Sequence, residues 1–226
     1  MKKLIKNILF HPPVAKVITK LLTRLHHISY SYLGAFAVAS EEGLHPKHRL
    51  MNYHMFFVNN LSKGDRILDI GCGNGALLKD IALKTDARAV GVELSEENVT
   101  AAREMLSGFP KVEIINTDIW EYSRQETFDA IILSNVLEHI EKRVELLQYL
   151  KIQFSPNKIL LRVPMFEREW LVPYKKELGI EWRLDETHEI EYTEAEFRDE
   201  ISAAGLELEK LVFQWGEMYA VAKSST

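Results

Sequence analysis

The chain of 226 residues is 46% hydrophobic and has 28 Lys and Arg against 33 Asp and Glu, a net charge of −5. This length predicts one substantial core with at most a small appendage, and the acidic balance argues against a nucleic-acid partner. A single cysteine, Cys72, excludes an intrachain disulfide and predicts a reducing, cytoplasmic location. The apolar runs are too short to predict a membrane-spanning helix.

The N-terminal segment is basic. No acidic residue precedes Glu41, whereas six residues there are basic: Lys2, Lys3, Lys6, Lys16, Lys20 and Arg24. After Pro12 and Pro13, apolar residues over 14–28 recur at helical spacing, opposite the basic side chains. We expect this helix to pack as a lid on the rest of the protein. The open alternative is peripheral contact of residues 14–28 with an anionic membrane.

The stretch ILDIGCGNGALL, residues 67–78, predicts a strand, a tight turn and a helix. Glycines at Gly71, Gly73 and Gly75 let a ligand approach the backbone, whose free amides at the helix start face it. The pattern therefore predicts a nucleotide-binding turn. By itself a glycine-rich turn is weak evidence, so later segments have to support it.

Polar side chains end the next three predicted strands. Glu93 closes strand 89–93, and an acid at this distance from the glycine turn is suited to accept hydrogen bonds from ribose hydroxyls. Asp118 follows strand 112–116. The strand over 128–134 runs directly into Asn135 and the segment VLEHI. Because ligands of an open parallel sheet sit beyond the carboxyl ends of its strands, these side chains should converge.

The glycine turn has the spacing G-x-G-x-G and, with SNVLEHI, resembles the motifs of the class I S-adenosylmethionine (SAM)-dependent methyltransferases of the small-molecule type. The resemblance covers residues 61–223. It implies an α/β fold: a doubly wound, seven-stranded, mostly parallel Rossmann-like sheet with an antiparallel last strand, preceded by N-terminal helices. It further implies a helical cap over 1–60, a SAM-binding domain over 61–226 and an acceptor lid over 164–192.

The resemblance also implies site residues. Glu93 would bind the ribose, Asp118 the adenine amino group and Ile119 the adenine ring. The full set expected at the cofactor is Asp69, Gly71, Cys72, Gly73, Glu93, Leu94, Asp118, Ile119, Asn135 and Val136. The helical segment before the first strand and the lid would shape the acceptor pocket through His48, Arg49, Tyr53, His54, Trp170 and Tyr174.

Four ionisable residues are candidates for catalysis: Glu138, His139, Asp185 and His188. One histidine would act as general base, oriented by a neighbouring carboxylate, and His188 is our preferred base. Alternatively, Glu138, His139 and a lid residue would bind a divalent cation. Ubiquinone-pathway O-methyltransferases, which this motif resembles, bind metal with a Glu, Glu, His set. Asn135 stands where the first Glu would be, so a metal is not favoured.

The predicted function is transfer of the SAM methyl group to an oxygen or nitrogen of a small-molecule acceptor, such as a sugar or surface-polysaccharide precursor, with S-adenosylhomocysteine (SAH) as product. Two alternatives stay open. One is a non-catalytic SAM-binding regulatory or scaffold protein, and the other is an aminopropyl transferase on the same fold.

Overall fold

The computed structural model describes residues 8–41, 45–122 and 124–225. Lys2, Lys3 and Lys6 of the basic N-terminal segment lie outside the described residues. The helices are α1 (Pro12–Ser40), α2 (Lys47–Met51), α3 (His54–Asn59), α4 (Ala76–Thr85), α5 (Glu96–Met105), α6 (Arg143–Phe154), α7 (Leu171–Glu177) and α8 (Glu194–Ala203). The strands are β1 (Arg66–Ile70), β2 (Arg88–Glu93), β3 (Val112–Asn116), β4 (Ala130–Ser134), β5 (Lys158–Pro164), β6 (Leu206–Gln214) and β7 (Glu217–Ser224).

The chain forms two compact units. The first consists of the described residues of Met1–Asn52 together with Glu169–Glu186, and the second of Tyr53–Arg168 with Thr187–Thr226. All seven strands belong to the second unit, and with them the glycine turn and the segment after β4.

In the first unit, α1 begins at Pro12, as the sequence predicts, and continues twelve residues beyond Ile28 to Ser40. Thr23 is its one buried residue among those described, and its hydroxyl donates to the carbonyl of Thr19. The apolar side of α1 is exposed. The lid role expected for α1 stays a prediction. None of the helices in the described ranges is long and apolar enough to cross a membrane.

The helical pattern over residues 45–61 is interrupted. It forms two short helices, α2 and α3, because Asn52 has a left-handed backbone with φ of 48° and ends α2. Asparagine tolerates this conformation better than most residues. The break places the two halves of the segment in different units, with Tyr53 and His54 in the second.

The second unit contains one seven-stranded sheet with the order β3-β2-β1-β4-β5-β7-β6. Strands β1 to β5 pair in parallel, and β7 pairs antiparallel with both β5 and β6. This confirms the predicted doubly wound fold with an antiparallel last strand. The central strands β1 and β4 are buried along most of their length, as expected for a parallel sheet covered by helices on both faces.

The strand order reverses between β1 and β4, which are direct neighbours with Ile70 opposite Leu133. Parallel sheets bind ligands in the crevice at such a reversal, beyond the carboxyl ends of the strands. At this edge β1 runs into the glycine turn, and β4 runs into Asn135 and a 3₁₀ turn over Leu137–His139. The fold therefore places the two main sequence motifs side by side.

Candidate active site

The glycine turn leaves open space in front of its backbone. Gly71 and Gly73 have φ of 67° and 56°, which L side chains rarely adopt. A Cβ on Gly71 would lie 2.6 Å from Cγ2 of Val136, whereas a Cβ on Gly73 would meet no described atom within 4 Å. Gly71 is therefore fixed by packing against the turn after β4, and Gly73 borders the space that a ligand would fill.

Glu93 ties the end of β2 to this turn. Its Oε2 accepts from the amide of Gly73 at 2.9 Å, and its Oε1 accepts from the amide of Ser95, also at 2.9 Å. A carboxylate has about four acceptor positions. Both oxygens can therefore still accept hydrogen bonds from a pair of ligand hydroxyls, with the geometry already fixed by the backbone.

Asp69, at the end of β1, is buried, and its Oδ2 has no hydrogen-bond partner among the described residues. Burial, followed by the nearby charge of Glu93, raises the pKa of Asp69 to about 8. Asp69 is therefore protonated near neutral pH, and the positive charge of a ligand close to it would favour its ionised form.

We expect the unfolding free energy of the ligand-free protein to fall with rising pH because of Asp69. The folded state keeps a proton on Asp69 that the unfolded state loses above pH 3.8. The stability that this proton contributes is therefore lost as the pH rises from 3.8 to about 8. Asp69→Asn should flatten the slope by up to about 1.4 kcal/mol per pH unit. Urea unfolding of the wild type and of Asp69→Asn at several pH values between 3.8 and about 8 measures this dependence. Equal slopes of unfolding free energy against pH would contradict the raised pKa of Asp69.

The other predicted cofactor residues lie at the ends of β2, β3 and β4. Ile119 is buried, Leu94 is 67% exposed, and Oδ1 of Asp118 accepts from the amide of Trp120 at 2.9 Å. Asn135 has φ of 57°, and its Oδ1 is buried with no partner in the described part of the chain. A bound ligand would cover the exposed side chain of Leu94 and would donate a hydrogen bond to Oδ1 of Asn135.

Cys72 points elsewhere. A Cβ on Gly91 in β2 would lie 2.8 Å from the Cys72 sulfur, so the thiol packs directly on the glycine of the neighbouring strand. Burial raises the pKa of this thiol. Any contribution of Cys72 to a ligand site is therefore made by its backbone.

A second cluster lies just beyond β4. Glu138, His139 and His188 each offer a ligand atom within 4.8 Å of the others. Glu138 is fully buried, and neither carboxylate oxygen has a hydrogen-bond partner within the described ranges. Burial raises the pKa of Glu138 to about 7. A buried carboxyl without a partner is costly, which indicates that a ligand or ion satisfies it.

His188 is buried and held by a residue that sequence reasoning did not identify. Its Nδ1 lies 3.1 Å from Oε1 of Glu191, which is fully buried, and Arg168 pairs with the other Glu191 oxygen. The sequence predicts a neighbouring carboxylate for this role, and Glu191 is one that was not among the candidates. Its only signal in the sequence is a position three residues after His188.

Backbone hydrogen bonds bring His188 beside the 3₁₀ turn. The amide of Glu189 donates to the carbonyl of Glu138 at 2.8 Å, and the amide of Tyr192 donates to that of Pro164. The rings of His139 and His188 meet edge to face with centroids 4.6 Å apart. His139 is exposed, and its Nδ1 lies 2.9 Å from the Thr187 hydroxyl. The segment that follows β4 and the segment around His188 therefore lie side by side.

Two predicted acceptor residues have packing roles in the second unit. The Tyr53 ring lies over the guanidinium of Arg162, 3.7 Å from centroid to Cζ. His54 is buried, with Nδ1 2.6 Å from Oδ2 of Asp80 in α4. The remaining candidates, His48, Arg49, Trp170, Tyr174 and Asp185, belong to the first unit.

The fold and its two motifs define a class I SAM-dependent methyltransferase. Over residues 61–217 the sequence matches the model of a family described as a methyltransferase domain. Since this span is more than half of the chain, the protein belongs to that family.

Similarity to individual proteins is more distant. The chain is 34% identical over 101 residues to a malonyl-(acyl-carrier protein) O-methyltransferase of Halalkalibacterium halodurans, covering 42% of this chain and 37% of that protein. It is 28% identical over 135 residues to a ubiquinone biosynthesis O-methyltransferase of Bradyrhizobium diazoefficiens, covering 58% and 53%. The chain thus spans about half or less of these relatives. The DhpI–SAH complex shares the fold, with a TM-score of 0.62 and 16% identity over 86% of this chain and 94% of that one.

The residues at the glycine turn fit SAM. This ligand is a sulfonium cation, and its positive charge would favour the ionised form of the buried Asp69 carboxyl. The open space at Gly73 accommodates close approach to the backbone, and the buried Oδ1 of Asn135 offers an acceptor that the protein leaves unsatisfied. Glu93 and Asp118 would hold the ribose and adenine.

We expect Glu93→Ala to weaken SAM binding by roughly 1.5–3 kcal/mol, the magnitude of hydrogen bonds to a charged group. Calorimetry with SAM measures it. Because Glu93 also holds the Gly73 amide, Glu93→Gln is the matched control: it retains an acceptor but loses the charge, and it should give a smaller loss. Unchanged affinity in a folded Glu93→Ala protein would disprove the ribose assignment.

Proposed function

We propose that the protein transfers the methyl group of SAM to an oxygen of a small-molecule acceptor. The observation that carries this proposal is the buried pair of His188 and Glu191, which lies beside Glu138 at the end of β4. An imidazole oriented by a carboxylate is suited to remove a hydroxyl proton near neutral pH. A hydroxyl nucleophile needs this help, whereas a free amine or a carboxylate needs less.

When bound, SAM would supply an activated methyl group, whose bond to sulfur breaks as its carbon bonds to the acceptor oxygen, with SAH as the leaving group. The protein contributes alignment and proton removal. The hydrogen bond to Glu191 fixes the proton on Nδ1 of His188, so that Nε2 is the basic atom. Glu191, itself paired with Arg168, then stabilises the imidazolium that forms. Glu138 binds a second polar group of the acceptor.

The acceptor is, in this proposal, a compound with a hydroxyl or carboxyl group. The two relatives named above are O-methyltransferases by name, which favours oxygen over nitrogen. Within this class we retain a sugar or surface-polysaccharide precursor as our hypothesis, because a second hydroxyl beside the methylated one would satisfy the buried Glu138 carboxyl.

The same three side chains also fit a divalent cation, with one ligand atom from each of Glu138, His139 and His188. A ligating histidine is commonly oriented by a carboxylate, as His188 is by Glu191. A cation there would lower the pKa of the acceptor hydroxyl. We favour the general base over the cation, because Asn135 stands where the metal-binding Glu, Glu, His set of the ubiquinone-pathway O-methyltransferases has its first Glu.

The experiment is a label-transfer assay. The protein is incubated with methyl-labelled SAM and a panel containing catechols, hydroxy acids, acyl carboxylates, sugar nucleotides and amines, and labelled products and SAH are measured. Label on oxygen acceptors supports the proposal. Label on amines alone would overturn the oxygen assignment.

Two further arms separate the alternatives. If the protein binds SAM but forms no SAH with any acceptor of the panel, a regulatory role is favoured. Turnover of decarboxylated SAM would favour aminopropyl transfer. Loss of activity with EDTA, restored by Mg²⁺ or Mn²⁺, would favour the cation over the base.

A further inference from the structure

The apolar side of α1 forms a continuous exposed stripe. Its residues follow one another every three or four positions along a helix about 43 Å long, and each side chain is between 52% and 70% exposed. We call these six residues the apolar stripe: Val17, Leu21, Leu25, Ile28, Tyr32 and Phe36. Soluble monomers rarely expose a contiguous apolar surface of this extent, so the stripe indicates an interaction site.

Along α1 itself the charged side chains are of one sign. Residues 1–40 contain six Lys and Arg and none of the 33 Asp and Glu of the chain. Lys16, Lys20 and Arg24 flank the stripe on α1. The region is thus cationic in a protein whose net charge is −5.

We propose that α1 docks on the surface of an anionic phospholipid bilayer. The helix would lie in the plane of the interface, with the apolar stripe among the acyl chains and the basic side chains on the lipid phosphates. Tyr32 and Phe36 supply the aromatic side chains favoured at that depth. The proposal concerns the first unit and does not depend on the transferase activity.

Charge complementarity favours lipid over a second copy of this chain. A parallel pair of α1 helices would bring Lys16, Lys20 and Arg24 of each copy close to those of the other. In an antiparallel pair they would face the C-terminal half of α1, and neither arrangement supplies a carboxylate, because the helix has none. Paired helices normally place opposite charges beside the apolar seam. Anionic headgroups provide those charges.

The test is co-sedimentation of the full chain with vesicles of equal parts phosphatidylglycerol and phosphatidylcholine, and with phosphatidylcholine alone. We expect binding to the anionic vesicles that is lost in about 1 M NaCl, where the Debye length is about 3 Å. Leu21→Ser with Leu25→Ser should weaken binding roughly a hundredfold. The matched control is Leu83→Ser with Ile152→Ser, two similarly exposed apolar residues of the second unit, and it should bind as wild type.

The charge contribution is tested separately. Changing Lys16, Lys20 and Arg24 together to Gln should weaken binding about a hundredfold, whereas the same change at Lys63, Lys79 and Lys142 should not. Thermal unfolding verifies that each variant is folded.

Three results would overturn the proposal: no vesicle binding, equal binding to neutral vesicles, or a stable dimer in solution that the two leucine substitutions dissociate. The last result would assign the stripe to a second copy.

Discussion

His188→Ala is expected to reduce turnover about 10²- to 10⁴-fold, the contribution of a general base, while SAM affinity stays unchanged. The side chain lies beside Glu138 and Glu191, next to the 3₁₀ turn that follows β4, whereas the glycine turn where SAM would bind follows β1. Turnover with the identified acceptor and calorimetry with SAM measure the two properties separately.

Three variants sharpen this test. Glu191→Gln should cause an intermediate loss of turnover, since it removes the charge that stabilises the imidazolium. The substitution also removes the charge partner of Arg168, so thermal unfolding is used to verify that the variant is still folded. His139→Ala should be far milder if the base is His188. His26→Ala, on an exposed position of α1, is the neutral control. Wild-type turnover in both His139→Ala and His188→Ala would end the histidine proposal.

The sheet was predictable because its parallel strands are short apolar runs, of which the central β1 and β4 stay buried on both faces. The predicted strand 112–116 coincides with β3, and the predicted strand 89–93 differs from β2 by one residue. The start of α8 is likewise set locally, because Thr193 and Glu196 form a capping box there. These features depend on neighbours within a few residues, which a single sequence contains.

Features set by distant contacts were not predictable. Glu191 lies in a charged segment without periodicity, and its role follows from Arg168, 23 residues away in the chain. The break at Asn52 depends on one left-handed residue in an otherwise helical pattern. The exposure of the apolar side of α1 is also a tertiary property, because an amphipathic pattern indicates two faces and not which of them is covered.

Breaking a second buried ion pair, which the sequence did not reveal, should cause a large loss of unfolding free energy. Arg162 in β5 donates two hydrogen bonds of 2.6 and 2.7 Å to Glu217 in β7, and both side chains are nearly buried. Tyr219 donates to the same carboxylate at 2.7 Å. Glu217→Gln leaves a buried guanidinium without its charge partner, so we expect a loss of about 3–5 kcal/mol in unfolding free energy.

The matched control is Glu209→Gln, which breaks the exposed pair of Glu209 and Lys223 between β6 and β7 and should cost less than about 1 kcal/mol. Urea unfolding measures both. Equal losses would show that burial does not determine the cost.

Replacing both partners separates stability from function. Arg162→Met with Glu217→Leu removes two buried charges at once and should recover much of the loss, since apolar pairs of similar volume often replace buried ion pairs without penalty. The amide of Asn135 donates to the backbone carbonyl of Arg162, at 2.9 Å, and this bond does not need the guanidinium. The double variant should therefore bind SAM as wild type does. A stable double variant with weakened SAM binding would instead assign the Arg162 charge to the ligand site, because the strand that positions Asn135 would be intact.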